Sequence, residues 1–127
     1  MKILCVISMC VCCLYAQNEL VHIMQNMEYA INLMEKGFLY NKKTWINEGL
    51  KEFKILNKEL KQIAPRTYLN DIQRRDVNVV ERIISRNEEN IEILEMYLKK
   101  DEMLKSIDAY GYIVSGCVSC HAITRGW

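Results

Sequence analysis

From about residue 18 onward, apolar residues recur three and four positions apart in four successive runs. The first, over 18–36, carries Leu20, Ile23, Met24, Met27, Ile31 and Met34, with Gly37 expected as a left-handed stop. The second starts near Asn41, shows Ile46, Gly49, Phe53, Leu56, Leu60 and Ile63, and ends at Ala64-Pro65. The third, over 72–98, reads Val77, Val80, Ile84, Asn87, Ile91, Leu94 and Leu98. The cations Lys99 and Lys100 favour a helix C-terminus there, and Asp101 is the expected N-cap of the next helix. The fourth run is Leu104, Ile107, Gly111, Val114, Val118 and His121. Such spacing lines up side chains along one face of a 3.6-residue helix. No alternating β-branched run bounded by turns competes with it. An all-α protein is expected, an antiparallel up-down four-helix bundle.

The first residues read differently. Met1-Lys2 is positive, residues 3–15 are almost wholly apolar, and small Ala16 precedes polar Gln17-Asn18-Glu19. This is the anatomy of a signal peptide over residues 1–16, too short for a permanent membrane anchor. A domain of residues 17–127, exported to the periplasm with no stable membrane insertion after cleavage, is the expectation; a retained tether is the alternative. Cys5, Cys10, Cys12 and Cys13 leave with the leader, and none follows the small residue that lipoprotein processing prefers. Cys117 and Cys120 remain, too close together to staple a fold. Without Lys2 the domain balances its basic and acidic residues, so nucleic acid is not an expected partner.

The chemistry concentrates at Cys117-Val118-Ser119-Cys120-His121. On a helix the two thiols and the imidazole share a face, because offsets of three and four bring side chains together. The pattern C-x-x-C-H is the attachment signature of c-type haem. One covalent haem c, with His121 as its proximal ligand, is therefore expected. Such haem is assembled outside the cytoplasm, in agreement with an export signal. Three rivals are weaker. A redox dithiol normally opens a helix, where the dipole favours the thiolate, and this pair closes one. A structural zinc site needs four ligands, and His22 is the only other histidine beside a single cysteine pair. The third is a chance match within a helix.

The four helical runs ending in this motif resemble the cytochrome c′ family, including its low-spin, methionine-ligated relatives. Cys117, Cys120 and His121 match the family motif residue by residue, and Arg125 matches a basic residue often found four positions after the histidine. The run Met24-Gln25-Asn26-Met27-Glu28, with Met34-Glu35-Lys36, is also similar to the first helix of the soluble b-type bundle cytochrome, which supplies an axial methionine. The resemblance implies a mono-haem protein, with Arg125 pairing a propionate or shielding the histidine. Val114 departs from the family, where glycine is common and leaves more room beside the ring.

The sixth iron position separates the functions. In an up-down bundle the start of helix one lies beside the end of helix four, which brings in Met24 and Met27, one turn apart. A thioether on iron raises the reduction potential and suits a one-electron carrier serving redox partner proteins of the periplasm. Met24 is favoured by its distance from the helix end; otherwise both are core filler. Without that bond the chain would be a five-coordinate haem protein binding NO or CO. No carboxylate pair, nucleophile–base set or phosphate loop suggests an enzyme. Tyr110, Gly111, Tyr112 and Trp127 are expected to pack around the ring, and a homodimer is left open.

Overall fold

The computed structural model describes the backbone of residues 2–126 and the side chains of residues 18–126. The side chains of the leader expected over 1–16, with its four cysteines, and the whole of Trp127 lie outside the described residues. Four helices follow one another: α1 (Lys2–Leu39), α2 (Lys43–Gln62), α3 (Val77–Lys99) and α4 (Met103–His121). They pack as a helical bundle. Among the described residues there is no strand, and no helix is long and apolar enough to cross a membrane.

Two tight turns use the same device. Lys42 N–H donates to Gly37 O at 2.8 Å and Asn41 N–H to Phe38 O at 3.4 Å, with Asn41 left-handed at φ 54°. This is a Schellman ending with Asn41 in the left-handed position. Gly37, expected there, lies inside α1 instead. Its role is close approach, because a methyl group on it would stand 2.6 Å from Ile46 Cγ1 and 2.8 Å from Ile46 N. The second turn repeats the pattern: Glu102 N–H donates to Tyr97 O at 3.0 Å and Asp101 N–H to Leu98 O at 3.3 Å, with Asp101 at φ 57°. Asp101 therefore closes α3 rather than capping α4, whose N-cap is Glu102 with no side-chain bond to the helix. An ion pair between Lys43 and Asp101 ties the two turns together.

Three of the four expected seams face inward, with Leu20, Met24 and Ile31 on α1 and Ile63 after α2 only partly buried. All seven α3 residues are buried, and on α2 Ile46, Gly49, Phe53, Leu56 and Leu60 are joined by Leu50 and Asn57. On α1, Ile23, Met27 and Met34 are buried together with Ala30. The α4 seam is a correction. Its buried residues are Ser106, Ala109 and Ile113, whereas Leu104, Ile107 and Val118 are exposed, Leu104 by 82%. α4 is apolar on more than one face, so two stripes of helical spacing compete. The small side chains Ser106 and Ala109 let it lie close to a neighbour, and the larger residues are turned outward.

Helix pairs are unequal. α1 packs closely on α2, α3 on α4, and α2 on α3, whereas α1 and α4 make little close backbone approach. α3 starts at Val77, later than expected, because residues Pro65–Thr67 and Gln73–Asp76 form short 3₁₀ turns in the long α2–α3 connection. That connection reaches the C-terminal turn, where Gln73 Nε2 donates to Ile123 O and Thr124 O, both at 3.0 Å.

Candidate functional site

Where α1 and α4 stand apart, the bundle leaves an open-mouthed cavity of about 520 Å³. α4 contributes Gly116, Cys117, Cys120 and His121, and Arg125 follows from the terminal turn. α1 contributes Met24 and Met27 together with Leu20 and Ile31, and α2 and α3 supply Asn57, Leu60, Ile84 and Asn87. All six residues expected at the site thus line one space. They come from helices at the two ends of the chain, and only the tertiary fold joins them.

The C-terminal end of α4 has an unusual shape. Residues Ala122–Gly126 wind as a π-helical turn, with Gly126 left-handed at φ 68°. A π turn widens the helix locally, a distortion common at functional sites. Thr124 Oγ1 donates to Cys120 O at 3.1 Å, and the Gln73 amide holds the carbonyls of Ile123 and Thr124. Arg125 is thereby set beside the cavity that His121 also lines.

Burial governs the ionisation of the motif. It pushes the Cys117 thiol up to about 11, with further help from neighbouring Cys120, against a smaller opposing effect of hydrogen bonding, including that from Asn87. Burial also raises Cys120. Both thiols are free and held neutral, the opposite of an activated redox dithiol. His121 is shifted down, first by burial and then by the Arg125 guanidinium. A neutral imidazole keeps a ring nitrogen free to bind a metal.

Several neighbours were not legible as site residues. Asn57, 1% exposed, donates its Nδ2 to Ile84 O at 3.3 Å, and its Oδ1 has no protein partner. Asn87, 4% exposed, also has an unpartnered Oδ1. A carboxamide on a helical stripe gives no sequence signal that separates core from site. Tyr68 stands near Cys120, and burial followed by that thiol raises its phenol to about 12. Gln73 was hidden because its partners lie 50 and 51 residues away.

Among the expected ring neighbours the structure divides. Tyr110 reaches α1, donating to Ile31 O at 3.3 Å and packing on Phe38 with ring centroids 5.4 Å apart. Gly111 does not line the cavity, and a methyl group added there would meet nothing within 4 Å. Tyr112 is 65% exposed. Gly116 is the glycine that matters here, since a Cβ on it would fall 2.2 Å from Asn87 Oδ1. His22 is on the surface, against Asn26 at 3.1 Å. Among the described residues, no three His, Cys, Asp or Glu side chains gather as ligands of a metal ion.

No protein-family model, no curated protein and no solved structure matches this chain.

Proposed function

We propose that the protein is a periplasmic mono-haem c-type cytochrome that carries single electrons, built as an antiparallel up-down bundle. The observation that carries this reading is the shared cavity. Two thiols and a neutral imidazole from α4 face the same space as two thioethers from α1. Supporting the antiparallel order, Gly37 opposes Ile46 and Gly49 opposes Ala30 and Met34, so higher numbers on α2 meet lower ones on α1.

The donor set suits a haem. Cys117 and Cys120 would hold it by thioether bonds and His121 would be its proximal ligand, with Met24 or Met27 as the further candidate iron ligand. Bound there, the group supplies one-electron chemistry at its iron. The chain's own residues do the rest. Gln73 and Thr124 hold the terminal turn, so that His121 and Arg125 keep their place at the cavity. Leu20, Ile31, Leu60 and Ile84 give the cavity apolar walls. Arg125 offers a guanidinium to a propionate carboxylate. Met24 is favoured as the sixth ligand, because Met27, 7% exposed, already belongs to the core.

The test is chemical. Haem should stay on the polypeptide through acid–acetone extraction and denaturing electrophoresis. Cys117→Ala or Cys120→Ala should weaken retention, and the double variant should abolish it. Haem that extracts freely from the wild-type protein would overturn the proposal. The spectrum of the oxidised protein then reports the sixth ligand. A low-spin form with a far-red sulfur-to-iron band supports the carrier, and a high-spin form with rapid CO uptake on reduction points to a gas binder. Export is tested by the mature N-terminus, expected at or near Gln17 in soluble periplasmic protein.

A further inference from the structure

A second concavity, of about 320 Å³, is lined by α3 and α4 alone. Arg82, Arg86 and Asn90, each one helical turn from the next, line its α3 wall, and Tyr112, Ser115 and Ser119 line the other. No carboxylate is among its lining residues. Among the described residues neither guanidinium has a carboxylate partner, although Arg74, Arg75, Lys43, Lys54, Lys61, Lys99 and Lys105 each have one. Arg82 Nε donates to Asn78 O at 3.2 Å, which restrains the side chain and leaves its terminal N–H groups free. Ile83, Asn87 and Gly116 line both this groove and the cavity above. One residue layer divides the two.

We propose that this groove binds a phosphate-class oxyanion. Two planar guanidiniums present forked N–H donors to one side of the ligand, the arrangement that best recognises phosphate or carboxylate oxygens. The opposite wall adds hydroxyl donors from Tyr112 and Ser115, and Asn90 adds an amide. Ser119 already donates to Ser115 O at 2.8 Å and contributes only by turning. A tetrahedral anion has oxygens for both walls at once; a carboxylate, with two oxygens on one side, does not. The inference uses none of the donors of the other cavity and stands apart from the haem proposal.

The experiment is a titration of the full-length protein with inorganic phosphate at constant ionic strength, with chloride as the matched control, followed by backbone amide NMR. Saturable shifts are expected at Arg86, Ser115, Gly116 and Ser119 with phosphate and not with chloride. The double variant Arg82→Gln/Arg86→Gln should bind roughly tenfold more weakly or worse, the scale of losing charge-assisted hydrogen bonds. Both positions are exposed and glutamine is a good helix former, so the helical circular dichroism should be unchanged. Ser115→Ala on the facing wall should weaken binding several-fold. A phosphate response equal to that of chloride, a double variant that binds like wild type, or shifts centred elsewhere would overturn the proposal.

Discussion

Adding a methyl group to Gly49 and the same group to Gly111 should move stability in opposite directions. At Gly49 the new Cβ would stand 2.6 Å from Ala30 O, 2.7 Å from Met34 Cγ and 3.1 Å from Met34 N. Two of those three atoms are backbone, so no rotamer change relieves the contact. Ordinary contact begins at 3.4 Å, so α1 and α2 would have to part by roughly 0.8 Å, the kind of overpacking that costs about 1–3 kcal/mol. Alanine's better helix propensity returns about 1 kcal/mol at either site. Gly49→Ala should therefore lose up to about 2 kcal/mol net once both effects are counted. Gly111→Ala meets nothing within 4 Å and should gain about 0.5–1 kcal/mol. Urea unfolding of both variants at one pH, with the slope checked for constancy, measures each difference directly. If the proposed haem is bound, Gly49→Ala should also disturb its spectrum, because Met24 and Met27 ride on α1, and Gly111→Ala should not. A Gly49→Ala protein stabilised as much as Gly111→Ala would refute the close α1–α2 contact. A destabilised Gly111→Ala would show that this face of α4 is covered after all.

Other consequences are separable by simple assays. Met27→Ala should cost about 2–5 kcal/mol as a core truncation, and Met24→Ala less, because Met24 is only partly buried. With the proposed haem bound, whichever variant turns the oxidised spectrum high-spin and lowers the potential would identify the iron ligand, and neither doing so would reject methionine ligation. Lysine partners hold Glu88 and Glu95 below the ordinary carboxylate value of 4.5, chiefly through the hydrogen bonds from Lys61 and Lys54. A depressed folded pKa contributes stability that is present above 4.5 and lost as pH falls through the lower folded value. The side chains of both pairs are 34–45% exposed, so each pair should be worth only about 0.5 kcal/mol. The double variant Glu88→Gln/Glu95→Gln should show a shallower acid decline of the urea midpoint, and an unchanged decline would count against these pairs. Gln73→Ala removes both bonds to the terminal turn, roughly 1–2 kcal/mol of local restraint. Trypsin should then cut after Arg125 faster, with little change in global unfolding; equal cleavage rates would deny Gln73 that role.

Helices and three of the four seams were legible because 3.6-residue periodicity is a local property of the chain. The α3 stripe from Val77 to Leu98 is buried without exception, Asn87 included. The C-x-x-C-H face was legible for the same reason, since offsets of three and four fix which side chains stand together on a helix. α4 escaped such reading, as two stripes of equal spacing run along it. The choice fell to the one containing Ser106 and Ala109, by closeness of approach rather than by hydrophobicity. Turn chemistry misled in a similar way. Gly37 can take a left-handed conformation, yet the tight contact with Ile46 needs its missing side chain, and Asn41 took the turn. Asp101 did the same at the second turn. The cavity itself has no sequence signature. It exists because α1 and α4 stay apart while α1 packs on α2 and α3 on α4. Residue spacing within each helix determined which side chains would stand side by side. Only the packing of one helix against another decided which faces met, and so which residues share a site.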